Sequence, residues 1–239
     1  MRIAAAVTVI VTVGTLVTGC SVAAAATAEA HTAGTAGTAA PTSAASALAV
    51  EVRRELAAMR TSHYQHRTSV DEKDGSFDYD CSGFVDYALG RVLPAALAAL
   101  PVTTSTRPLA ADIERHLETI GDSGADPWRR VPTVADLAPG DVVAWLATED
   151  SNTDDTGHVM IVNGSPTPDP NGAGRWLVPV ADSTVDPHGD DSRHDDETGL
   201  GTGTIGLVVD EHGHPTAFAW RGGISTRWHT TSIALGRPT

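Results

Sequence analysis

The chain contains a cysteine, a histidine and an aspartate that could together form a cysteine-dependent catalytic centre. They are Cys81, His158 and Asp182. A thiol attacks a carbonyl carbon as its thiolate, and an ordinary pKa of about 8.5 leaves little thiolate at neutral pH. An imidazole that accepts the thiol proton, and that is itself held by a third polar group, lowers this barrier. The chain therefore offers a nucleophile, a base and an orienting group, provided that folding brings the three together.

Cys81 is predicted to open a helix over residues 81–92. The apolar side chains of this segment recur at helical spacing and would share one face. They are Cys81, Phe84, Val85, Ala88, Leu89 and Val92. The positive end of a helix stabilises an anion, and Asp78 or Asp80 would cap the helix start. We therefore predict that Cys81 is the nucleophile, the alternative being a small buried side chain of the core.

His158 is predicted to open an apolar strand over residues 157–163, next to a polar loop and near solvent. Asp182 would end the next long strand and lie beside the start of the first. The carboxylate would then hold the imidazole in the required tautomer. Ser183 and His188 are alternatives for this orienting role. In the structural alternative, His158 is a hydrogen-bonded histidine at a sheet edge and Asp182 belongs to a turn.

The remaining elements follow from hydrophobic periodicity and turn residues. Helices are predicted over 46–61, 81–92 and 107–120, with a polar loop over 62–79 that turns at Asp74-Gly75. After a turn at Pro139-Gly140, strands are predicted over 141–147, 157–163, 175–182, 204–210, 215–221 and 227–234, with a hairpin at 211–214. Helices followed by strands indicate an α+β domain in which N-terminal helices pack on an antiparallel β-sheet.

The N-terminus carries the pattern of an export signal. Arg2 precedes an apolar run over residues 3–17, which is too short for a stable membrane span. Residues 17–20 (Val-Thr-Gly-Cys) resemble a bacterial lipobox, in which the peptidase cleaves before the cysteine and the thiol is acylated. The resemblance implies a signal peptide over 1–19, a lipid anchor at Cys20 and an extracytoplasmic place in the bacterial cell envelope. The alternative is an ordinary signal peptide cut near residues 23–26.

Composition divides the rest of the chain into two parts. Residues 20–45 are rich in Ala, Thr, Gly and Ser and predict a flexible tether, whereas residues 46–239 suffice for one domain. A formal net charge of −14 argues against nucleic acid as a partner. Lipidation of Cys20 would leave Cys81 as the only thiol, without an internal disulfide, which favours a chemical role for it.

Three segments, in this order, resemble the NlpC-type cell-wall peptidases, which have a papain-like fold. Residues 80–85 match the family's Asp-Cys-Ser-Gly-Phe-Val, and residues 139–142 match its Pro-Gly-Asp-Val. Residues 158–161 match His-Val-Gly-Ile, with Met160 replacing the glycine. The family's third catalytic residue is often His, Asn or Gln on the following strand, where this chain has Asp182. The resemblance implies the papain-like form of the predicted α+β domain.

The resemblance spans residues 60–185 and also suggests how substrate is held. In many members a tyrosine before the cysteine, with the aspartate and serine that flank the cysteine, binds the free amine of a peptidoglycan stem peptide. Tyr64, Asp80 and Ser82 are the matching candidates here. The family's tyrosine is usually followed by a Trp-Gly-Gly-like run, whereas Gln-His-Arg stands at residues 65–67. Substrate binding therefore departs from the family pattern more than the nucleophile does.

The implied activity is hydrolysis of an amide in peptidoglycan stem peptides, for example the D-glutamyl–diamino acid bond. We expect a monomer that needs no cofactor and no metal. Two alternatives are a non-catalytic envelope lipoprotein that binds wall peptides or a partner in the same cleft, and a papain-like acyltransferase. The acidic segment 182–197 matches neither an EF-hand nor a zinc-binding helix, so we expect a solvated loop that favours cationic substrate groups.

Overall fold

The computed structural model of the chain describes residues 42–121, 127–151, 154–194 and 196–239. The predicted signal peptide, the lipidation site at Cys20 and the tether up to residue 41 lie outside these ranges. Among the described residues, no helix has the length and apolar character needed to cross a membrane.

The described residues form four α-helices, which precede all but two short strands. They are α1 (Ser43–Ala58), α2 (Cys81–Val92), α3 (Pro94–Ala99) and α4 (Ala110–Thr119). The bounds of α2 are those predicted. The hydroxyl of Thr42 accepts a hydrogen bond from the Ala45 amide, so α1 starts at Ser43 and takes in residues 43–45 of the predicted tether. Pro94 begins α3, which was not predicted, because proline suits the first position of a helix.

The strands of the described residues form two antiparallel sheets. They are β1 (Ser69–Asp71), β2 (Ser76–Asp78), β3 (Trp128–Arg130), β4 (Val142–Leu146), β5 (Gly157–Val162), β6 (Thr167–Pro168), β7 (Arg175–Thr184), β8 (Gly199–Val209), β9 (Pro215–Ala219), β10 (His229–Thr230) and β11 (Ile233–Pro238). β1 and β2 pair as a hairpin. The others form a nine-stranded sheet in the order β10-β9-β8-β7-β5-β4-β11-β3, with β6 paired to β7. Short 3-10 turns lie at Val134–Asp136 and Gly222–Ile224.

This arrangement confirms the α+β class with a large antiparallel sheet. The predicted loop 62–79 contains the β1–β2 hairpin, whose turn holds Gly75 at a φ of +74°. The predicted strand 227–234 is divided between β10 and β11. The short strands β3 and β6 were not predicted, because three and two residues carry too little periodicity to identify a strand.

Strand alternation divides the core into two clusters on opposite faces of β5. Val159 and Ile161 pack with Phe84 of α2 and the other helices. Met160 and Val162 lie in the second cluster, which consists mainly of strand residues. Because α2 packs across β5, its first turn lies near the start of that strand.

Candidate active site

A cleft of about 860 Å³ contains five of the six candidate residues that the structure describes. Its walls include Tyr64, Asp80, Cys81, Ser82 and His158, together with Trp145, Phe218, Trp220 and the acidic Asp150, Asp154, Asp155 and Asp186. Asp182, the sixth candidate, is fully buried behind the cleft surface and contacts His158. The structure therefore brings the sequence-predicted residues to one place.

The nucleophile candidate stands at the predicted helix start. Asp80 is the N-cap of α2, and its Oδ1 accepts a hydrogen bond of 2.7 Å from the Gly83 amide. Only 5% of the surface of Cys81 is exposed. The sulfur is thus almost enclosed, although it borders the cleft.

The electrostatic environment of Cys81 differs from the expectation of a thiolate formed by the helix dipole. Burial, together with the carboxylate of Asp80, raises the pKa of Cys81 to about 12. Backbone hydrogen bonds from Val159 and Ser82 act in the opposite direction but do not offset this. The resting protein consequently holds a neutral thiol, and that expectation was wrong because the sulfur loses most of its solvent.

His158 has the orientation expected of a general base. Its Nε2 lies 2.6 Å from Oδ2 of Asp182. Because an ionised carboxylate only accepts hydrogen bonds, Nε2 carries the proton and Nδ1 keeps its lone pair. No hydrogen bond to Nδ1 occurs among the described residues. The ring can therefore accept a proton at the nitrogen that faces away from Asp182.

Asp182 is the centre of a buried charged network. Its Oδ2 also accepts a hydrogen bond of 2.8 Å from Nε2 of His188, and its Oδ1 accepts one of 2.9 Å from Nη2 of Arg193. Nδ1 of His188 lies 3.0 Å from the carbonyl oxygen of Trp220. Both nitrogens of His188 face acceptors, so both carry protons and the ring is a cation. His188, an alternative orienting residue, instead contacts the same Oδ2 of Asp182 as His158 does.

The pKa shifts agree with this charge assignment. Burial opposes ionisation of Asp182, but the charge of His188 and the hydrogen bond from His158 hold its pKa well below the usual range. Burial likewise opposes the charge of His188, while the Asp182 carboxylate raises its pKa. Arg193 also contacts Asp191 at 2.8 Å, so two carboxylates balance two cations.

The remaining alternative, Ser183, serves another element. Its hydroxyl donates a hydrogen bond of 2.5 Å to the carbonyl oxygen of Tyr79. Since successive strand residues face opposite sides, Ser183 points away from the side occupied by Asp182. It ties the end of β7 to the residues just before α2 rather than to the imidazole.

His158, Asp182 and His188 also form a group whose ligand atoms lie within 4.8 Å of one another and could hold a metal ion. The nitrogen–oxygen separations of 2.6 and 2.8 Å are hydrogen-bond lengths. Ligand atoms around tetrahedral zinc lie roughly 3.3 Å apart, given Zn–N bonds of about 2.0–2.1 Å. Arg193 on the same carboxylate further disfavours a cation. The contacts therefore fit a hydrogen-bonded network.

The predicted solvated loop 182–197 is only partly correct. Asp186, Asp190, Asp196 and Glu197 are exposed, whereas Asp182, His188 and Arg193 are buried. The prediction failed for those three because the charges of a local segment compensate one another only after folding. Composition alone contained no signal for that pairing.

Cys81 and His158 reach the start of β5 from different sides. The Val159 backbone hydrogen-bonds the sulfur, and Cys81 packs in the cluster on the helix side. The His158 ring lies against Trp145 and Trp220, at centroid distances of 5.7 and 4.8 Å. In the described part of the chain no hydrogen bond joins the sulfur to the ring. The sulfur meets β5 at Val159, the residue next to His158, and both Cys81 and His158 line the cleft.

The predicted amine-binding residues have a partner that the sequence did not reveal. Nη2 of Arg107 lies 2.7 Å from both carboxylate oxygens of Asp80, and Nη1 lies 2.7 Å from the Ser82 hydroxyl. Tyr64 is half-buried in the cleft wall, where burial and the nearby Cys81 and Asp80 raise its pKa. Arg107 was missed because it stands 27 residues beyond Asp80, in a segment without a motif.

Comparison with known proteins identifies no relative: no protein-family model, no curated protein and no solved structure matches the chain. Functional inference therefore depends on the geometry of the cleft and on the sequence motifs.

Proposed function

We propose that the protein is a cysteine hydrolase of the NlpC type, with a papain-like fold, that cleaves an amide bond in peptidoglycan stem peptides. The observation that carries this proposal is the 2.6 Å contact between His158 and Asp182 at the edge of the cleft that contains Cys81. The contact leaves a proton acceptor free in the same cleft as a thiol at a helix start. That combination supports acyl transfer to sulfur.

In the proposed reaction, Nδ1 of His158 takes the Cys81 proton as the sulfur bonds to the substrate carbonyl carbon. Backbone amides at the start of α2 stabilise the oxyanion. The imidazolium then protonates the leaving amine as the carbon–nitrogen bond breaks, which leaves a thioester. A water molecule, deprotonated by His158, attacks the thioester, and the sulfur leaves as a thiol after regaining the proton.

The pKa of Cys81, about 12, requires that proton transfer accompany substrate binding or attack. Asp182 contributes mainly by orienting the ring. Its charge is already balanced by His188 and Arg193, so it stabilises a second imidazolium less than an otherwise unpaired carboxylate would. Orientation still has a large effect on rate, because the wrong tautomer presents a proton where a lone pair is needed.

The experiment that tests the proposal measures soluble peptide release from purified sacculi. We expect release by the full chain and none by Cys81→Ala or His158→Ala. His212→Ala is the matched control, because His212 is exposed on the β8–β9 hairpin. Release by Cys81→Ala at the rate of the parent protein would exclude the thiol mechanism. Mass spectrometry of the products separates hydrolysis from transfer to another acceptor.

A second candidate, a non-catalytic protein that binds wall peptides in the same cleft, is favoured by the raised pKa of Cys81. In that case the peptides bind but remain intact. Alkylation of the free protein by iodoacetamide should be slow at pH 7 and accelerate about tenfold for each pH unit up to pH 10. A cysteine that reacts faster with iodoacetamide at pH 7 after a stem peptide is added would favour the hydrolase.

The predicted lipid anchor at Cys20 and location in the cell envelope complete the proposal. A chain tethered to the outer side of a membrane would meet the wall polymer directly. Metabolic labelling with a fatty acid tests this, with Cys20→Ser as the comparison. We expect the label on the parent chain alone.

A further inference from the structure

Asp80 and Ser82 line the cleft next to Cys81, and both are bound by the guanidinium of Arg107, which itself stands outside the cleft lining. A single nitrogen of the Arg107 guanidinium, Nη2, lies 2.7 Å from each oxygen of the Asp80 carboxylate. The side chain of Asp80 is 8% exposed and that of Arg107 is 22% exposed. Hydrogen bonds between two charged groups are stronger than those between neutral groups.

Arg107 is also fixed on its other side. Its Nη1 donates to the Ser82 hydroxyl at 2.7 Å and to the Pro108 carbonyl oxygen at 3.1 Å, and lies 3.3 Å from Oδ2 of Asp86. Burial raises the pKa of Asp86 to about 7, so Asp80 is the principal counter-charge of the guanidinium. The arginine is therefore fixed against Asp80 and Ser82 of the cleft wall rather than being a mobile surface chain.

An ammonium group needs oxygen acceptors that are free to receive its protons. Both oxygens of Asp80 are engaged by Arg107, and Oδ1 also caps α2 through the Gly83 amide. The Ser82 oxygen accepts from the same guanidinium. A substrate ammonium at this place would meet a fixed positive charge within a few ångströms instead of an unpaired carboxylate.

We propose that Arg107 is a specificity-determining residue that closes this amine subsite, so that the protein accepts stem peptides whose amino terminus is blocked by an acyl group. This inference rests on the proposed function. A neutral amide at the terminus of the peptide has no charge for the guanidinium to repel. Stem peptides still joined to the glycan through their amino terminus belong to this chemical class.

The test uses two synthetic stem peptides that end in a diamino acid and differ only in a free or acetylated amino terminus. Calorimetry measures their binding to the full chain carrying Cys81→Ala, so that turnover cannot interfere. We expect the acetylated peptide to bind at least as tightly as the free one. Adding Arg107→Ala should shift the ratio at least tenfold towards the free amine, with circular dichroism confirming that this variant folds.

Tighter binding of the free peptide by the protein that retains Arg107 would overturn the inference, as would failure of both peptides to bind at millimolar concentration. An unchanged ratio in a folded Arg107→Ala variant would also overturn it. If that variant does not fold, the ratio measured with Arg107 present decides the matter. Failure of the proposed function looks different: the peptides bind, and the protein with Cys81 intact leaves them uncut.

Discussion

Two buried carboxylates lie on either side of Cys81, and each is paired with an arginine. Both oxygens of Asp80 accept hydrogen bonds from Arg107. One oxygen of Asp182 accepts a hydrogen bond from Arg193, and the other contacts the rings of His158 and His188. Both are buried aspartates, but the imidazole that meets Asp80, that of His66 at 3.2 Å, is exposed, whereas the two that meet Asp182 are buried.

This difference separates a structural carboxylate from one that can assist chemistry. Asp80 caps a helix and holds an arginine, and its only imidazole contact among the described residues is with the exposed ring of His66. Asp182 determines which nitrogen of His158 carries the proton. An ion pair that engages one oxygen neutralises a buried charge and still leaves the other oxygen available for orientation.

A third carboxylate shows the effect of burial without an ion pair. Glu55 is fully buried and accepts a hydrogen bond of 2.9 Å from the Tyr79 hydroxyl. It forms no ion pair within the described part of the chain, and its Oε1 has no hydrogen-bond partner. Burial raises its pKa to about 8. Asp182 avoids this outcome through its cationic partners.

Asp182→Asn should have the largest effect of any change at these carboxylates. It leaves His188 without its counter-charge and Arg193 with Asp191 alone, and it allows the wrong tautomer of His158. We expect turnover on stem peptides to fall at least about a thousandfold and the free energy of unfolding to fall by about 4 kcal/mol. Urea unfolding and peptide release measure the two effects. Unchanged turnover would remove the orienting role from Asp182.

Asp80→Asn should destabilise the protein by about 3 kcal/mol, because it removes the charge that Arg107 faces. The loss is smaller than for Asp182→Asn, since asparagine still caps a helix and Arg107 can reach solvent. Urea unfolding compares the two variants directly. A greater loss for Asp80→Asn would reverse the proposed order of the two sites.

Glu55→Gln should stabilise the protein at neutral and mildly alkaline pH. The folded pKa of about 8 exceeds the unfolded value, so the folded state holds an extra proton between about pH 4.5 and 8. Stability from this group is therefore greatest below pH 4.5 and falls as pH rises to 8. Glutamine cannot ionise, so we expect a gain of about 4 kcal/mol at pH 7.5 and no gain at pH 4. An equal gain at both pH values would contradict the assignment.

His66→Ala should have the smallest effect. The His66 ring approaches Asp80 at 3.2 Å, but 88% of its side chain is exposed. Exposed ion pairs contribute up to about 1 kcal/mol, and we expect a change in unfolding free energy of about 0.5 kcal/mol or less. A loss comparable to that of Asp80→Asn would mean that His66, and not Arg107 alone, holds the carboxylate.

The local elements were largely predictable, and the reason is periodicity. Helix α2 has the predicted bounds because its apolar residues repeat at helical spacing, and β4, β5 and β7 follow runs of apolar residues after clear turn signals. The contact between His158 and Asp182 was also predicted, since each stands near the end of a strand. Short elements such as α3 and β6 escaped because too few residues carry the pattern.

The sequence by itself determined that Cys81 would begin a helix and that an imidazole would begin a strand, because these choices depend on neighbouring residues. Only the tertiary structure decided the charge of each group. Arg107 reaches Asp80 across 27 residues, His188 is a buried cation, and the Cys81 thiol keeps its proton. The physical reason is that solvation and counter-charges depend on which distant side chains fill the surrounding space, and no local pattern specifies that.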